Sequence, residues 1–141
     1  MTRRLINQVE PYITENEKKA LADYLDSGGW LTEFRKTQEF EGMLGEFVGV
    51  PFVTMLPSGT VALYLSILAS GIGPGDKVIV PNYTMIATPN AVVWAGAEPV
   101  LVDVEAETLC LDITNVPVDE STKALLYVSI NGRSKIGRAH V

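Results

Sequence analysis

At 141 residues the chain is long enough for one domain with a real core and too short for two of ordinary size. Its 47% hydrophobic and 20% charged residues mark it as globular, and a net charge of −6 with no basic block excludes a surface built for nucleic acid or anionic membrane. The single Cys110 excludes an internal disulfide or a Cys-based zinc site and points to the reducing cytoplasm.

Behind the two arginines of "MTRRLINQVEPYI" there is no apolar stretch fit for a signal peptide, and no segment reaches the roughly 18 apolar residues of a membrane span. Residues 14–27, "TENEKKALADYLDS", open on a Thr cap with Glu three positions on and stop at Gly28-Gly29, which predicts a helix. A second helix is predicted over about 37–48, with Phe40, Leu44, Phe47 and Val48 on one stripe. Residues 1–50 therefore read as a helical arm.

The period then changes. "PFVTML" (51–56), "KVIVP" (77–81), "PVLVDV" (99–104) and "KALLYVSI" (123–130) are short and rich in Val, Leu and Ile, as strands buried on both faces are. Helix-length segments at about 59–70, 86–95 and, more weakly, 112–120 alternate with them. That alternation predicts parallel strands joined by crossovers, an α/β layered sheet.

In such a sheet ligands sit beyond the carboxyl ends of the strands, where loops meet helix N-termini. "LPSGTVAL" (56–63) occupies such a place. Gly59 lets a ligand approach the backbone, the amides near Gly59 and Thr60 point out of the first helical turn, and Ser58 and Thr60 add hydroxyls, a set suited to a phosphate. The competing reading is that Ser58 only caps the helix while Gly59 relieves a tight turn. A P-loop is excluded by the missing Gly-Lys pair, and a dinucleotide fingerprint by the missing G-x-G-x-x-G.

The run "LPSGTVALYLSILASGIGPGDKVIVPNYTMIATPNAVVWAGAEPVLVDVEAETLCLD", with "YLDSGGWLTEF" and "FEGMLGEFVGVPFV" upstream, resembles the DegT/DnrJ/StrS-type sugar aminotransferases over about residues 10–133. The resemblance implies the mostly parallel three-layer large domain of the aspartate-aminotransferase fold (fold type I), incomplete here, with pyridoxal 5'-phosphate as cofactor. It implies that residues 51–134 are part of the cofactor-binding domain, with Ser58, Gly59 and Thr60 around the phosphate. In "VPNYTMIATPNAV" (80–92) the family commonly has an aromatic residue, stacked on the pyridine ring, where Met85 stands; a thioether would cover the ring instead. Core filling is the alternative for Met85. Thr88 would join the cofactor site and Tyr83 the substrate site, unless they are buried and satisfied by backbone; Thr84 and Asn90 are further lining candidates. Trp30 resembles the segment that approaches the sugar nucleotide, its alternative being a Trp packed under the arm. Asp103 and Asp112 stand at strand ends, where Asp usually caps or turns the chain, and His140 has no catalytic setting.

The family's reaction needs a Schiff-base lysine and a carboxylate that holds the pyridine nitrogen protonated. In the family both come after the last strand seen here, and Lys18, Lys19, Lys36, Lys77 and Lys123 do not match the lysine's position, so the chain itself is expected to be inactive. The ending "KIGRAHV" (135–141) equals the translation of AAG ATC GGA AGA GCA CAC GTC, the start of a widely used sequencing adapter whose next codon is a stop. The expectation is adapter read-through on a truncated gene fragment, with a natural basic tail as the alternative, and the raw nucleotide read distinguishes them. The parent enzyme implied is a cytoplasmic homodimer that aminates a nucleotide-linked keto sugar with glutamate as donor, resembling perosamine synthases. Relatives that carry His for the lysine dehydrate the sugar, and a non-catalytic phosphate-binding fragment is a third reading. The sugar, the carbon aminated and the donor are not encoded in these residues.

Overall fold

The computed structural model describes residue 7 and residues 9–31 and 35–134. The expected tail at 135–141 and the first six residues of the arm lie outside them. Two compact units divide the chain, one ending at Met55 and the next beginning at Leu56.

In the first unit α1 runs Glu15–Asp26 and α2 Arg35–Val48. The start of α1 is fixed by a capping box. The Thr14 hydroxyl oxygen accepts from the Asn16 amide at 3.2 Å, and the Glu17 carboxylate accepts from the Thr14 amide at 2.6 Å and from its hydroxyl. Those bonds hold the Glu17 carboxyl below its usual value, the Thr14 hydroxyl contributing most. Neither helix contains a buried residue.

The second unit is built on a parallel sheet. β1 (Lys77–Pro81) is flanked by β2 (Glu98–Val102) and β3 (Thr122–Leu125), in the order β2-β1-β3. Alternation along β1 sends Val78 and Val80 to one face and Ile79 to the other. Val78 and Val80 pack with Ile67 of α3 (Gly59–Ala69) and with Ala91, Val92 and Ala95 at α4 (Ala87–Trp94). Small alanines bring α4 close to the sheet. Ile79 packs on Val102 and Leu111, the latter supplied by a turn-back of residues 103–112 in which Val104 bridges Leu111 antiparallel and the Glu105 amide donates to the Cys110 carbonyl at 2.9 Å. β1 is therefore covered on both faces, which is why it reads as an unbroken apolar run. β2 and β3, expected to be buried on both faces too, are not, with Leu101 61% and Leu125 39% exposed, because each flanks β1 on one side only among the described residues.

α4 ends in a Schellman motif: the Ala97 amide donates to the Val92 carbonyl at 3.2 Å and the Gly96 amide to the Val93 carbonyl at 2.9 Å. Gly96 sits at φ +81°, and a Cβ there would lie 3.1 Å from Pro74 Cγ, so both backbone and space require glycine.

The α/β class and all four main helices agree with the sequence. Three elements differ. Segment 51–56 forms no strand, because a strand exists only against a neighbour and no described residue pairs with it there; its Met55 amide is taken instead by the Glu41 carboxylate at 2.7 Å. The expected helix at 112–120 is one 3₁₀ turn, Ile113–Asn115, started by the Asp112 carboxylate accepting from the Thr114 amide at 2.9 Å and followed by Pro117, which has no amide to continue it. β3 is shorter than 123–130, although the Leu126 amide still donates to the Ile79 carbonyl at 2.8 Å.

Candidate cofactor site

Ser58 is the N-cap of α3, in extended conformation, with its hydroxyl oxygen accepting from the Val61 amide at 3.3 Å. Its carbonyl accepts from the Ala62 amide at 3.0 Å. Among the described residues the Gly59 and Thr60 amides have no acceptor, as expected of the first turn of a helix. A hydroxyl has one proton and two lone pairs, so Ser58 can cap with its oxygen and still donate. Capping and anion binding are thus compatible.

The glycine is the informative residue. Gly59 lies outside the left-handed region, and a Cβ built on it meets nothing within 4 Å. Neither its conformation nor packing among the described residues calls for glycine here. What the missing side chain leaves is open space at a helix N-terminus bearing two free amides and the half-buried Thr60, a cradle that fits a phosphate.

The remaining candidates of this unit gather in the loop between β1 and α4 and in the first turn of α4. Tyr83 and Met85 are exposed, at 52% and 72%, so Met85 is not core filling within this unit. Thr88 is buried and its hydroxyl bonds Thr84 Oγ1 at 3.0 Å, while its amide donates to the Met85 carbonyl at 2.9 Å. No hydrogen bond among the described residues joins this loop to Ser58–Thr60. Trp30 belongs to the first unit, is 75% exposed and accepts through its carbonyl from the Tyr24 hydroxyl at 2.5 Å.

Asp112 caps the chain as its position implied, and Asp103 does not. The Asp112 carboxylate caps the 3₁₀ turn. Asp103 accepts from the Asn82 side-chain amide at 2.5 Å across the carboxyl ends of β1 and β2, a pairing of residues 21 apart in sequence that no local signal announces. Of the lysines, Lys18 pairs with Glu15, Lys36 with Glu39 and Lys77 with Asp119, and Lys123 donates to the Glu120 carbonyl. Lys77 and Lys123 stand at the amino ends of their strands, the end remote from the loop of Tyr83 and Met85. The Lys77 ammonium and the Ser121 hydroxyl hold the Asp119 carboxyl far below its usual range, and Asp119 in turn raises Lys77. Among the described residues no cluster of His, Cys, Asp and Glu could hold a metal, and no helix is long and apolar enough to cross a membrane. A hollow of about 410 Å³ in the first unit carries Glu41 and Glu46 in its lining and no cation, which makes it a poor phosphate site.

Comparison with known proteins places these features. The chain is 38% identical over 132 residues to a GDP-perosamine synthase of Vibrio cholerae, a match covering 92% of this chain and 36% of that protein. The sugar aminotransferase Spr1654 of Streptococcus pneumoniae, described as putative and solved without cofactor, superposes with a TM-score of 0.85 at 37% identity, over 92% of this chain and 33% of that one; it is also solved in its PLP and PMP forms. A GDP-4-keto-6-deoxymannose-3-dehydratase superposes at 0.77 with 28% identity, over 84% and 32% of the two chains. The chain spans about a third of the length of the relatives it matches. The model of the DegT/DnrJ/EryC1/StrS aminotransferase family matches residues 11–135, nearly the whole sequence and every element that builds the candidate site, and this chain belongs to that family.

Proposed function

We propose that the chain is the phosphate-cradling part of a pyridoxal-phosphate-dependent aminotransferase that acts on a nucleotide-linked keto sugar, perosamine-synthase-like, with glutamate as donor and a cytoplasmic homodimer as the working form. The observation that carries the reading is Gly59, a glycine that neither φ nor packing demands, set beside two unpartnered helix amides. In this reading the Gly59 and Thr60 amides and the Thr60 hydroxyl bind the cofactor phosphate, and Ser58 caps the helix and donates its proton. Met85 covers the ring face with its thioether, a contact of about 0.3–1.5 kcal/mol. Thr88, fixed by Thr84, sets the height of that loop; Tyr83 is the substrate-side residue of this unit and Trp30 that of the first unit. Bound there, the cofactor supplies an electron sink for moving the amine.

Lys18 and Lys36 are paired within the first unit and Lys77 and Lys123 are engaged at the amino ends of their strands, so in this reading the covalent lysine belongs to the part of the relatives that this chain does not span. A dehydratase is among the structural neighbours, and in the alternative reading the residue at the lysine's position decides between transferring an amine and removing water.

Pyridoxamine 5'-phosphate is the suitable probe, because it carries the phosphate and ring and cannot react with lysines. Titrated into the chain and followed by amide NMR, it should shift Gly59 and Thr60 saturably, and Gly59→Val should abolish the shifts with the fold intact. Shifts scattered over the surface, or none at these two amides, would sink the reading.

A further inference from the structure

We propose that Asn82 is a positioning residue: by clamping the start of the β1–α4 loop to Asp103, it holds Tyr83 and Met85 in place at the carboxyl edge of the sheet. The proposal rests on the function just proposed for that edge. Its grounds are in the loop itself. The Asn82 amide donates to the Val102 carbonyl at 2.9 Å, extending the ladder one residue past β1. Its side-chain amide donates to Asp103 at 2.5 Å. Asn82 is thereby fastened to two consecutive residues at the exit of β2.

At the far end of the loop the buried Thr88 ties back twice, to the Met85 carbonyl and to the Thr84 hydroxyl, and the Asn90 amide donates to the Ile86 carbonyl at 3.1 Å. Between the two anchors stand Tyr83, Met85 and Ile86, at 52%, 72% and 69% exposure. Large apolar side chains held out from a loop pinned at both ends suit a preorganised ligand seat, since a loose loop would pay rotamer and backbone entropy on each binding event. The backbone bond of Asn82 already completes the ladder. What the side-chain bond adds is a fixed direction for the chain as it leaves β1.

The test uses the whole chain and two readouts: the order of the Met85 methyl without ligand, and the dissociation constant for pyridoxamine 5'-phosphate. Asn82→Asp sets two carboxylates against each other, Asn82→Ala removes the donor, and Asn82→Asp with Asp103→Asn reverses the bond. Both partners are solvent-exposed, so Asn82→Ala should fold even where Asn82→Asp does not. The single variants should loosen the Met85 methyl and weaken the probe on the order of tenfold, and the reversed pair should recover most of both. An unchanged Met85 methyl in Asn82→Ala, or a reversed pair no better than the single variants, overturns the clamp. Loss of thermal stability alone, with both readouts unmoved, overturns it equally. Because the methyl readout needs no ligand, an Asn82→Ala variant that loosens Met85 in a chain whose wild type does not bind the probe separates failure of the proposed function from failure of this inference.

Discussion

The two units spend their apolar residues in opposite ways. Beyond Leu56, Val78, Ile79, Val80, Ala91 and Val92 are at most 1% exposed and share two packed clusters on the faces of one sheet. Before Met55, α1 and α2 bury nothing, and Phe47 and Phe52 are 89% and 88% exposed. The first unit has helices because caps and periodicity specify them locally, whereas the second has a fold because its central strand is covered on both faces. Local signals are enough to write a helix, and burial is what makes it stable.

The sharpest way to break that contrast is a matched pair of truncations. Ile79→Ala should cost about 2–5 kcal/mol in urea unfolding followed through the second unit, while Phe47→Ala should stay within about 0.5 kcal/mol. Equal costs would mean that the first unit's apolar stripe is covered in solution. A smaller effect is expected at the cap of α1: Thr14→Ala removes the capping box and should cost that helix about 1 kcal/mol, seen as faster amide exchange over Glu15–Asp26 and unchanged protection of β1.

Smallest is the pH dependence at the amino edge of the sheet. The folded value of Asp119 lies below its ordinary 3.8, so the stabilisation it contributes is present above about pH 4 and is lost as pH falls towards the folded value. Asp119→Asn should therefore flatten the acid side of the urea midpoint between pH 6 and pH 3. Lys77, raised from its ordinary 10.5, loses its contribution only as pH climbs through that raised value, so the neutral range should be level for this pair. Parallel acid slopes in the two proteins would remove Asp119 from the account.

What was legible in the sequence is what is local or periodic. Thr14 and Glu17 announce a helix start, Ser58 announces another, and "KVIVP" announces a strand buried on both faces. Segment 51–56 has the composition of a strand, yet ladder bonds belong to a pair, and composition does not say whether the neighbour is there. Residues 112–120 failed as a helix because Asp112 offers its side chain to the turn and Pro117 withholds an amide. At the candidate site the turn proposed for the phosphate stands in consecutive residues, so its cap and its glycine could be read directly. Asn82 with Asp103, and Lys77 with Asp119, are 21 and 42 residues apart, and only the parallel register brings them together.

The strand order has a consequence for how the chain is made. β1 takes its first neighbour 21 residues later, at Glu98 opposite Lys77, and its second only at Thr122, a further 24 residues on. At a synthesis rate of about 5–20 residues per second, the most buried of the described strands has one side open for a few seconds after β2 has been made. During that interval its unpaired backbone is a template for a strand from another nascent chain. Lys77 stands at the head of that strand opposite Glu98, and its ion pair with Asp119 can form only when the chain has been made that far.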